Sequence, residues 1–229
     1  MKYFLSALLV SFSVFGLAQR EQHVDLNIAV GEHSHTISSQ VVKNFKLLKS
    51  EKLHLGLGVR LAYTFGNLVE YTTAPAKHTK SMDAIDTIRV ENPMLFSTNL
   101  SLNASYHFTN KWSIGCNIDA IGFSFGKKTV ANYYPSFASQ SETPARKQLL
   151  DEKITPTVNN FLVFGNYTKG SICAEAFIRY THKDRYSYKL GYGHYTSEYE
   201  SSKRIGHNDN YRFRNTSAKI LIGFGYSFI

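Results

Sequence analysis

The stretch that decides the fold is LHLGLGVRLAYTF, residues 53–65. Every second residue of this stretch is apolar, and the residues between them include two glycines and, near the middle, Arg60. Alternation with a period of two places the apolar side chains on one face of a β-strand and the others on the opposite face. The stretch therefore predicts a strand with one apolar face and one face that accommodates an arginine.

The same alternation recurs along the chain. Five further segments show it clearly: 24–30, 96–108, 112–120, 172–180 and 220–228. Two weaker segments complete the set, one before residue 49 and one around 161–167. Together these segments predict eight strands, with ten as an open alternative, and an all-β protein.

The connections between the predicted strands differ in length. Three are short and polar: KSEK (49–52), TNK (109–111) and TKG (168–170). Three are long and polar, and we expect them to be too polar to form a core of their own: 67–93, 127–159 and 182–210. Strict alternation of short and long connections places all short turns at one end of an up-and-down barrel, as in bacterial outer-membrane barrels. We therefore predict an eight-stranded antiparallel up-and-down transmembrane β-barrel with short periplasmic turns and long extracellular loops.

A soluble barrel with an apolar lumen is the main alternative fold. The polar face of segment 96–108 argues against it, because that face carries serine, asparagine and histidine but no lysine or glutamate. Small uncharged polar groups suit a crowded, hydrated lumen better than open water. The length of the segment agrees, since thirteen residues tilted by about 45° cover roughly 30 Å, close to one hydrocarbon core.

The parity of the strands assigns six charged side chains to the lumen. Shifting the strand at 53–65 by one residue would expose Arg60 to lipid at a cost of about 2–4 kcal/mol, so Arg60 is predicted to point inward. Because a confined charge needs a partner, we predict a neutral lumen ion-pair network, with snorkelling at the rims as the alternative for some members. Its predicted members are Asp25, Arg60, Asp119, Glu175, Arg179 and Lys219.

The first 18 residues have the features of a secretory signal peptide. Lys2 supplies the positive start, an apolar centre follows, and Gly16-Leu17-Ala18 forms a small-x-small cleavage site. The predicted domains are thus a signal peptide at 1–18 and an outer-membrane barrel at 19–229, exported to the bacterial outer membrane. The formal charge of +9 favours contact with acidic surfaces such as lipopolysaccharide phosphates, and export argues against a nucleic-acid partner.

Taken together, residues 19–229 resemble the small bacterial outer-membrane β-barrels of the OmpX/OmpA-like group. The resemblance rests on the signal peptide, the alternating strands, the unequal connections and the ending KILIGFGYSFI. Members of that group end in a terminal aromatic residue, whereas here Ile229 follows Phe228. The resemblance implies insertion by the barrel-assembly machinery and a bilayer environment of outer-membrane lipids. It implies no activity, because the group is functionally mixed.

We expect no catalytic, cofactor-binding or metal site. The motif GFSFG (122–126) matches the serine-hydrolase pattern G-x-S-x-G but continues a predicted strand instead of turning into a helix. His33 and His35 fall on one strand face without an identifiable third metal ligand. A lipid-modifying enzyme stays open as an alternative, although no triad on one surface is evident.

One predicted loop is rich in tyrosine and is a candidate for surface recognition. Tyrosine offers rigid, amphipathic contact area for an extracellular glycan or protein, and a projecting hairpin stiffened by cross-strand tyrosines is the alternative. The five residues are Tyr186, Tyr188, Tyr192, Tyr195 and Tyr199. We therefore expect a monomeric barrel with a structural or surface-interaction role, with a small porin or transport barrel as the alternative.

Overall fold

The computed structural model describes most of the chain. The described residues are 20–47, 51–74, 82–142, 152–163, 168–205 and 210–228. The predicted signal peptide, 1–18, lies outside them.

The described residues form thirteen strands in one antiparallel sheet. Eight of the strands have ten residues or more: β1 (Arg20–Val30), β2 (Ser34–Leu47), β3 (Leu53–Gly66), β6 (Met94–His107), β7 (Trp112–Gly126), β11 (Cys173–His182), β12 (Tyr186–Ser201) and β13 (Arg212–Phe228). Five are shorter: β4 (Leu68–Ala74), β5 (Thr87–Glu91), β8 (Thr129–Tyr134), β9 (Glu152–Pro156) and β10 (Asn159–Phe161). One 3-10 turn, Met82–Ala84, and one short helix, α1 (Phe137–Glu142), accompany them. The predicted count of eight strands is therefore wrong.

The strand pairings close into two connected rings. We define the lower ring as the long strands, which pair in the order β1, β2, β3, β6, β7, β11, β12, β13 and back to β1. The upper ring consists of β4, β5, β8 and β9, which pair in series and connect to the upper ends of β12 and β13. The additional strands arise because segments predicted as loops pair with each other above the long strands.

Three short turns lie together at the lower end of the lower ring. They connect β2 to β3, β6 to β7 and β11 to β12. Glu51 in the first turn and Lys183 and Asp184 in the third have positive φ angles of 50°, 50° and 57°, which allow the chain to reverse tightly. The third turn corrects the sequence interpretation, because it lies at 183–185 and not at 168–170.

Two further sequence expectations about segments are wrong. The segment 182–210 is not one long loop, since most of it is strand β12. In the weak segment 161–167, only Phe161 belongs to a strand, while 164–167 lies outside the described residues. β10 and β11 instead occupy the same edge of β7 in succession, so one ring position is shared by two strands.

The faces of the lower ring have the polarity that residues 53–65 indicated. Leu57 on the outer face is 53% exposed, whereas its strand neighbour Arg60 on the inner face is fully buried. On β6 the inner face carries buried Ser97, Asn99 and Ser101 between exposed apolar residues. The lower ring is thus apolar outside and polar inside.

The upper ring has the reverse arrangement. Val69, Ile88, Ala131 and Ile154 are buried inside it, one from each of its four short strands. They pack with a wider apolar core that includes Tyr71, Val90, Leu95, Tyr133, Tyr199, Ile205 and Phe213. The sequence expectation that these segments are too polar to form a core is therefore wrong, because each supplies alternating apolar residues to a shared interior.

Candidate functional site

Arg60 is the centre of the upper of two charge clusters in the lumen of the lower ring. Its guanidinium donates to both carboxylate oxygens of Glu175, with Nη1···Oε1 at 2.9 Å and Nη2···Oε2 at 3.0 Å. Its Nε lies 3.4 Å from Oδ1 of Asp119. This bidentate geometry is stronger than a single hydrogen bond between an arginine and a carboxylate. Strands β3, β7 and β11 are therefore tied together across the lumen.

Polar side chains surround the two carboxylates of this cluster. The Tyr195 hydroxyl donates to Glu175 Oε1 at 2.7 Å, and Asn117 Nδ2 donates to Glu175 Oε2 at 3.1 Å. Asn99 Nδ2 donates to Asp119 Oδ2 at 2.9 Å. Gln40 accepts from Asn117 at 3.1 Å and donates to Ser101 Oγ at 2.7 Å. These bonds satisfy both oxygens of Glu175 and one oxygen of Asp119, while Asp119 Oδ1 has only the 3.4 Å contact with Arg60 Nε.

Asp25 is the centre of the lower cluster. Arg179 Nη2 and Lys189 Nζ donate to its Oδ2 at 2.8 and 3.1 Å, and His23 Nε2 lies 3.5 Å from the same oxygen. The Phe177 ring lies beside both cations, with Lys189 Nζ 4.2 Å and Arg179 Cζ 5.5 Å from the ring centroid. The cluster thus combines ion pairing with cation–π contact.

Lys219 occupies a different environment from the other predicted lumen charges. Its Nζ donates to the Thr36 hydroxyl at 2.8 Å and lies 5.0 Å from the centroid of the Tyr195 ring. Tyr195 in turn donates to Glu175, so Lys219 contacts the Arg60 cluster through a shared aromatic residue.

The structure brings the six predicted lumen residues into the interior and adds a seventh. All six are buried; Arg60, Asp119 and Glu175 meet in the upper cluster, Asp25 and Arg179 meet in the lower one, and Lys219 lies apart. Lys189 was missed because β12 had been interpreted as a loop. The signal was present, since Tyr186, Tyr188, Leu190 and Tyr192 alternate with it. With Lys189 the described lower lumen holds four Arg and Lys side chains against three acids, so the predicted neutrality is wrong.

Glycines on the inner face provide the space that these side chains occupy. A Cβ on Gly225 would collide with Asp25 Oδ1, and a Cβ on Gly223 would collide with Asn27 Oδ1. Both glycines lie on β13 directly opposite those residues on β1. Asp25 and Asn27 can therefore lie close against β13 only because the residue opposite each of them has no side chain.

The five tyrosines proposed for surface recognition do not share a surface. Tyr186, Tyr188 and Tyr192 are exposed on the outer face of the lower ring, Tyr195 lies in the lumen, and Tyr199 is buried in the upper core. The interpretation of their segment as a loop is wrong, because period-two alternation continues along most of β12. Tyr186 instead packs against Tyr226 at 5.5 Å between ring centroids.

The upper ring covers the lumen with apolar side chains. Tyr71 and Tyr199 pack edge to face at 5.1 Å, and Tyr199 lies on β12 above Tyr195 and the polar lumen. Burial raises the pKa of Tyr71, so its phenol remains neutral. Beneath this cover, two cavities that border the lumen charges are small, about 20 Å³ beside His23 and Arg179 and about 10 Å³ beside Lys219. Each is about the size needed for a single water molecule.

A buried ion-pair cluster lies at the junction of the two rings. Glu198 on β12 is fully buried and accepts from Arg212 at 2.8 and 3.0 Å and from Arg214 at 2.7 and 3.0 Å. Thr157 also donates to Glu198, at 3.2 Å. Residues from the segment between β9 and β11 thereby cover this part of β12 and hold the two rings together.

The sequence motifs that were considered for catalysis and metal binding lie on strands and turns of the lower ring. Residues 122–126, which carry the hydrolase-like motif, lie within strand β7. Among the described residues there is no group of three or more His, Cys, Asp and Glu placed to bind a metal ion. His33 is exposed and lies 3.6 Å from Glu32. In the described part of the chain, no helix is long and apolar enough to cross a membrane.

Comparison with solved structures finds β-barrel proteins at low identity. No protein-family model matches the sequence, and no curated protein is similar to it. The chain is similar to Neisserial surface protein A, with 10% identity, a TM-score of 0.38, and 91% of this chain and 96% of that chain covered. It is similar to the N-terminal β-barrel domain of Pseudomonas aeruginosa OprF, with 10% identity, a TM-score of 0.36, and coverage of 92% and 99%. A major outer membrane protein from Thermus thermophilus gives 12% identity, a TM-score of 0.40, and coverage of 92% and 100%.

Proposed function

We propose that the protein is an integral protein of the bacterial outer membrane, with the eight strands of the lower ring crossing the bilayer. The observation that carries this proposal is the distribution of polarity: seven Asp, Glu, Lys and Arg side chains are buried inside the lower ring, while large apolar side chains cover its outside. Water would favour the reverse arrangement, and a bilayer favours this one, since a basic residue on a lipid face costs about 2–4 kcal/mol at the midplane.

Aromatic residues on the outer face support two membrane interfaces. Near the upper end, Phe96 stacks between Tyr63 at 4.6 Å and Phe125 at 5.6 Å. Near the lower end, Trp112 packs against Tyr180 at 4.9 Å. Phe96 and Tyr106 lie ten residues apart on β6, which corresponds to about 23 Å of height for a strand tilted by about 45°. That height agrees with the apolar band of outer-membrane barrels, about 25 Å.

The role that fits this arrangement is structural or surface-interacting, without transport or catalysis. The lumen clusters occupy the middle of the lower ring and the apolar core covers its upper end. The cavities beside Arg179 and beside Lys219 are no larger than a water molecule, so they offer no path for a solute. The upper ring then projects from the cell surface as a packed unit. Its outer surface is the candidate surface for an extracellular glycan or protein, in place of the tyrosine-rich loop.

Outer-membrane lipids are the partners that the geometry favours. Lys127 and Lys128 are exposed and follow the outward Phe125 after a single glycine, close to the stacked aromatic residues at the upper end. Two cations next to a lipid-facing ring suit the phosphates of lipopolysaccharide. We further propose that the protein is a monomer and that the barrel-assembly machinery inserts it. We also propose that it is related to the small OmpX/OmpA-like barrels.

Single-channel recording in planar bilayers tests the filled-lumen role. We expect no stable current of porin size, because the Arg60 and Asp25 clusters and the apolar cover block the path. A 16-stranded porin serves as the positive control. A stable current would support the transport alternative and contradict this proposal.

Mass analysis of lipid A from cells with and without the gene tests the non-enzymatic role. We expect identical lipid A in both strains. A mass difference that the gene restores would contradict it and support a lipid-modifying enzyme.

A further inference from the structure

An apolar groove on the outer face of the lower ring has a volume of about 910 Å³. Its floor is a row of small outward side chains that are paired across three strands: Ala104 on β6, Cys116 on β7 and Ala176 on β11. Larger side chains bound it, among them Ile114, Ile178, Leu190 and Tyr192. The groove is shallow and wide open on its outer side, so a chain lying along it would contact the protein on one side only.

The lower border of this groove carries interfacial and basic residues. The Trp112–Tyr180 pair lies two residues below Ile114 and Ile178 on the same two strands. Immediately beyond it, the turn residues Lys111, Lys183 and Arg185 are exposed, with Asp184 as the acid among them. The Thr181 amide donates to the Lys111 carbonyl at 2.7 Å, so the two turns lie side by side. Apolar groove, aromatic pair and basic turns therefore follow one another from the membrane interior toward the lower interface.

We propose that this groove binds the acyl chains of an anionic phospholipid from the periplasmic leaflet, with its phosphate at the basic turns. The proposal rests on the membrane placement proposed above. Each part of this surface corresponds to one part of a phospholipid. The apolar groove faces the acyl chains, the aromatic pair lies at the level of the interface, and the basic turns lie where the negative phosphate would be. Basic residues near the surface attract anionic lipid with about 1 kcal/mol each, which corresponds to about fivefold in affinity.

A second copy of the chain fits this groove less well than lipid does. A two-fold contact brings the same surface of each copy together. Two concave floors facing each other would leave unfilled space along Ala104 and Ala176, and unfilled space forfeits packing contacts. Flexible acyl chains fill such a concave surface without this cost.

Trp112, the only tryptophan of the chain, provides an intrinsic probe at the groove border. The protein is reconstituted into phosphatidylcholine vesicles that contain a small fraction of phospholipid brominated on its acyl chains, which quenches nearby tryptophan fluorescence. Brominated phosphatidylglycerol is compared with brominated phosphatidylcholine at the same fraction. Vesicles made entirely of brominated lipid form a separate arm, because quenching there reports membrane insertion irrespective of the groove.

We expect phosphatidylglycerol to quench Trp112 with at least about fivefold higher apparent affinity than phosphatidylcholine. Lys111→Gln should reduce that preference by about fivefold. Ala176→Phe, which fills the floor, should reduce quenching by the minor lipid to the level expected from random mixing. Val41→Phe, an outward substitution on β2 away from the groove, should leave the quenching by the minor lipid unchanged. Should Ala176→Phe fail to insert, Cys116→Leu fills the same floor with a smaller change.

Other results would overturn the proposal. Equal quenching by both lipids, or quenching unaffected by Ala176→Phe, would show that no preferred lipid occupies the groove. A dimer linked through Cys116 after oxidation in vesicles would assign the groove to a second copy. Absence of quenching in fully brominated vesicles would instead refute the membrane placement itself.

Discussion

The lower and upper rings are built from strands with the same alternation but opposite polarity. Strand β13 runs through both and shows the change within one segment. Its inward side chains change from Phe213 in the upper ring to Lys219 in the lower ring. Its opposite face changes from Arg214, which pairs with Glu198, to the exposed Ile220 and Ile222. Alternation therefore specifies a strand with two faces but not which face is apolar. The proposed placement explains the difference, with lipid outside the lower ring and water outside the upper ring.

The two rings also obtain their internal cohesion in different ways. The lower ring depends on ion pairs and amide bonds between distant strands, as in the contact of Arg60 with Glu175. The upper ring depends on close packing, as in the contact of Tyr71 with Tyr199. Removing one partner from a buried charge cluster and removing volume from an apolar core are both costly, but for different physical reasons. This difference yields four predictions, which run from the largest expected effect to the smallest.

Arg60→Met should give the largest loss. It leaves Asp119 and Glu175 buried together without their cation, which costs about 3–5 kcal/mol in free energy of unfolding. The measurement is urea unfolding in lipid vesicles, followed by Trp112 fluorescence. The triple variant Arg60→Met, Asp119→Asn, Glu175→Gln removes the uncompensated charge and should recover most of the loss. If Arg60→Met alone unfolds at the same urea concentration as the natural protein, the lower ring does not depend on charge pairing.

The sequence carried the information for the lower ring better than for the upper one. In residues 53–65 every second residue is apolar, so strand, face and the inward Arg60 could all be predicted from that stretch alone. β4 and β5 have seven and five residues and gain their stability only from each other and from β8 and β13. The alternation within each covers only two core residues, such as Val69 and Tyr71 on β4, which is too short to distinguish a strand from a loop. The sequence interpretation misses Lys189 for a related reason, since it takes a polar, tyrosine-rich segment for a surface loop.

Ile88→Ala should damage the upper ring alone. Ile88 is fully buried on β5, and its truncation should cost about 2–5 kcal/mol through lost burial and a residual cavity. Protease added outside proteoliposomes should then cleave within the upper-ring strands β4, β5, β8 and β9 faster than in the natural protein. The lower ring should still migrate as a folded barrel on gels of unheated samples. Val130→Ala, an outward change on β8, is the matched control and should alter stability by no more than about 0.5 kcal/mol.

A pair of arginine substitutions compares the two outer faces directly. Val59→Arg places a charge near mid-strand on the proposed lipid face of the lower ring and should cost about 2–4 kcal/mol. Val130→Arg places the same charge on the outer face of the upper ring and should have little effect, because water surrounds that face. Folding yield into vesicles and urea midpoints measure both. Equal costs at the two positions would show that the rings share one environment and would remove the basis for the membrane assignment.

Alkaline pH should weaken the upper ring through Tyr71. Burial raises the pKa of Tyr71 in the folded protein, while the unfolded chain titrates near the ordinary value of about 10. Above that pH the unfolded state loses a proton that the folded state keeps, so stability falls by about 1.4 kcal/mol per pH unit until the folded pKa is reached. Tyr71→Phe removes the ionisable group and loses only the contact with the Ser197 hydroxyl at 3.4 Å. Protease resistance of the upper ring should therefore decline more steeply with pH in the natural protein than in Tyr71→Phe. Identical declines would show that Tyr71 is not sealed within the apolar cover, and hence that water reaches the top of the lumen.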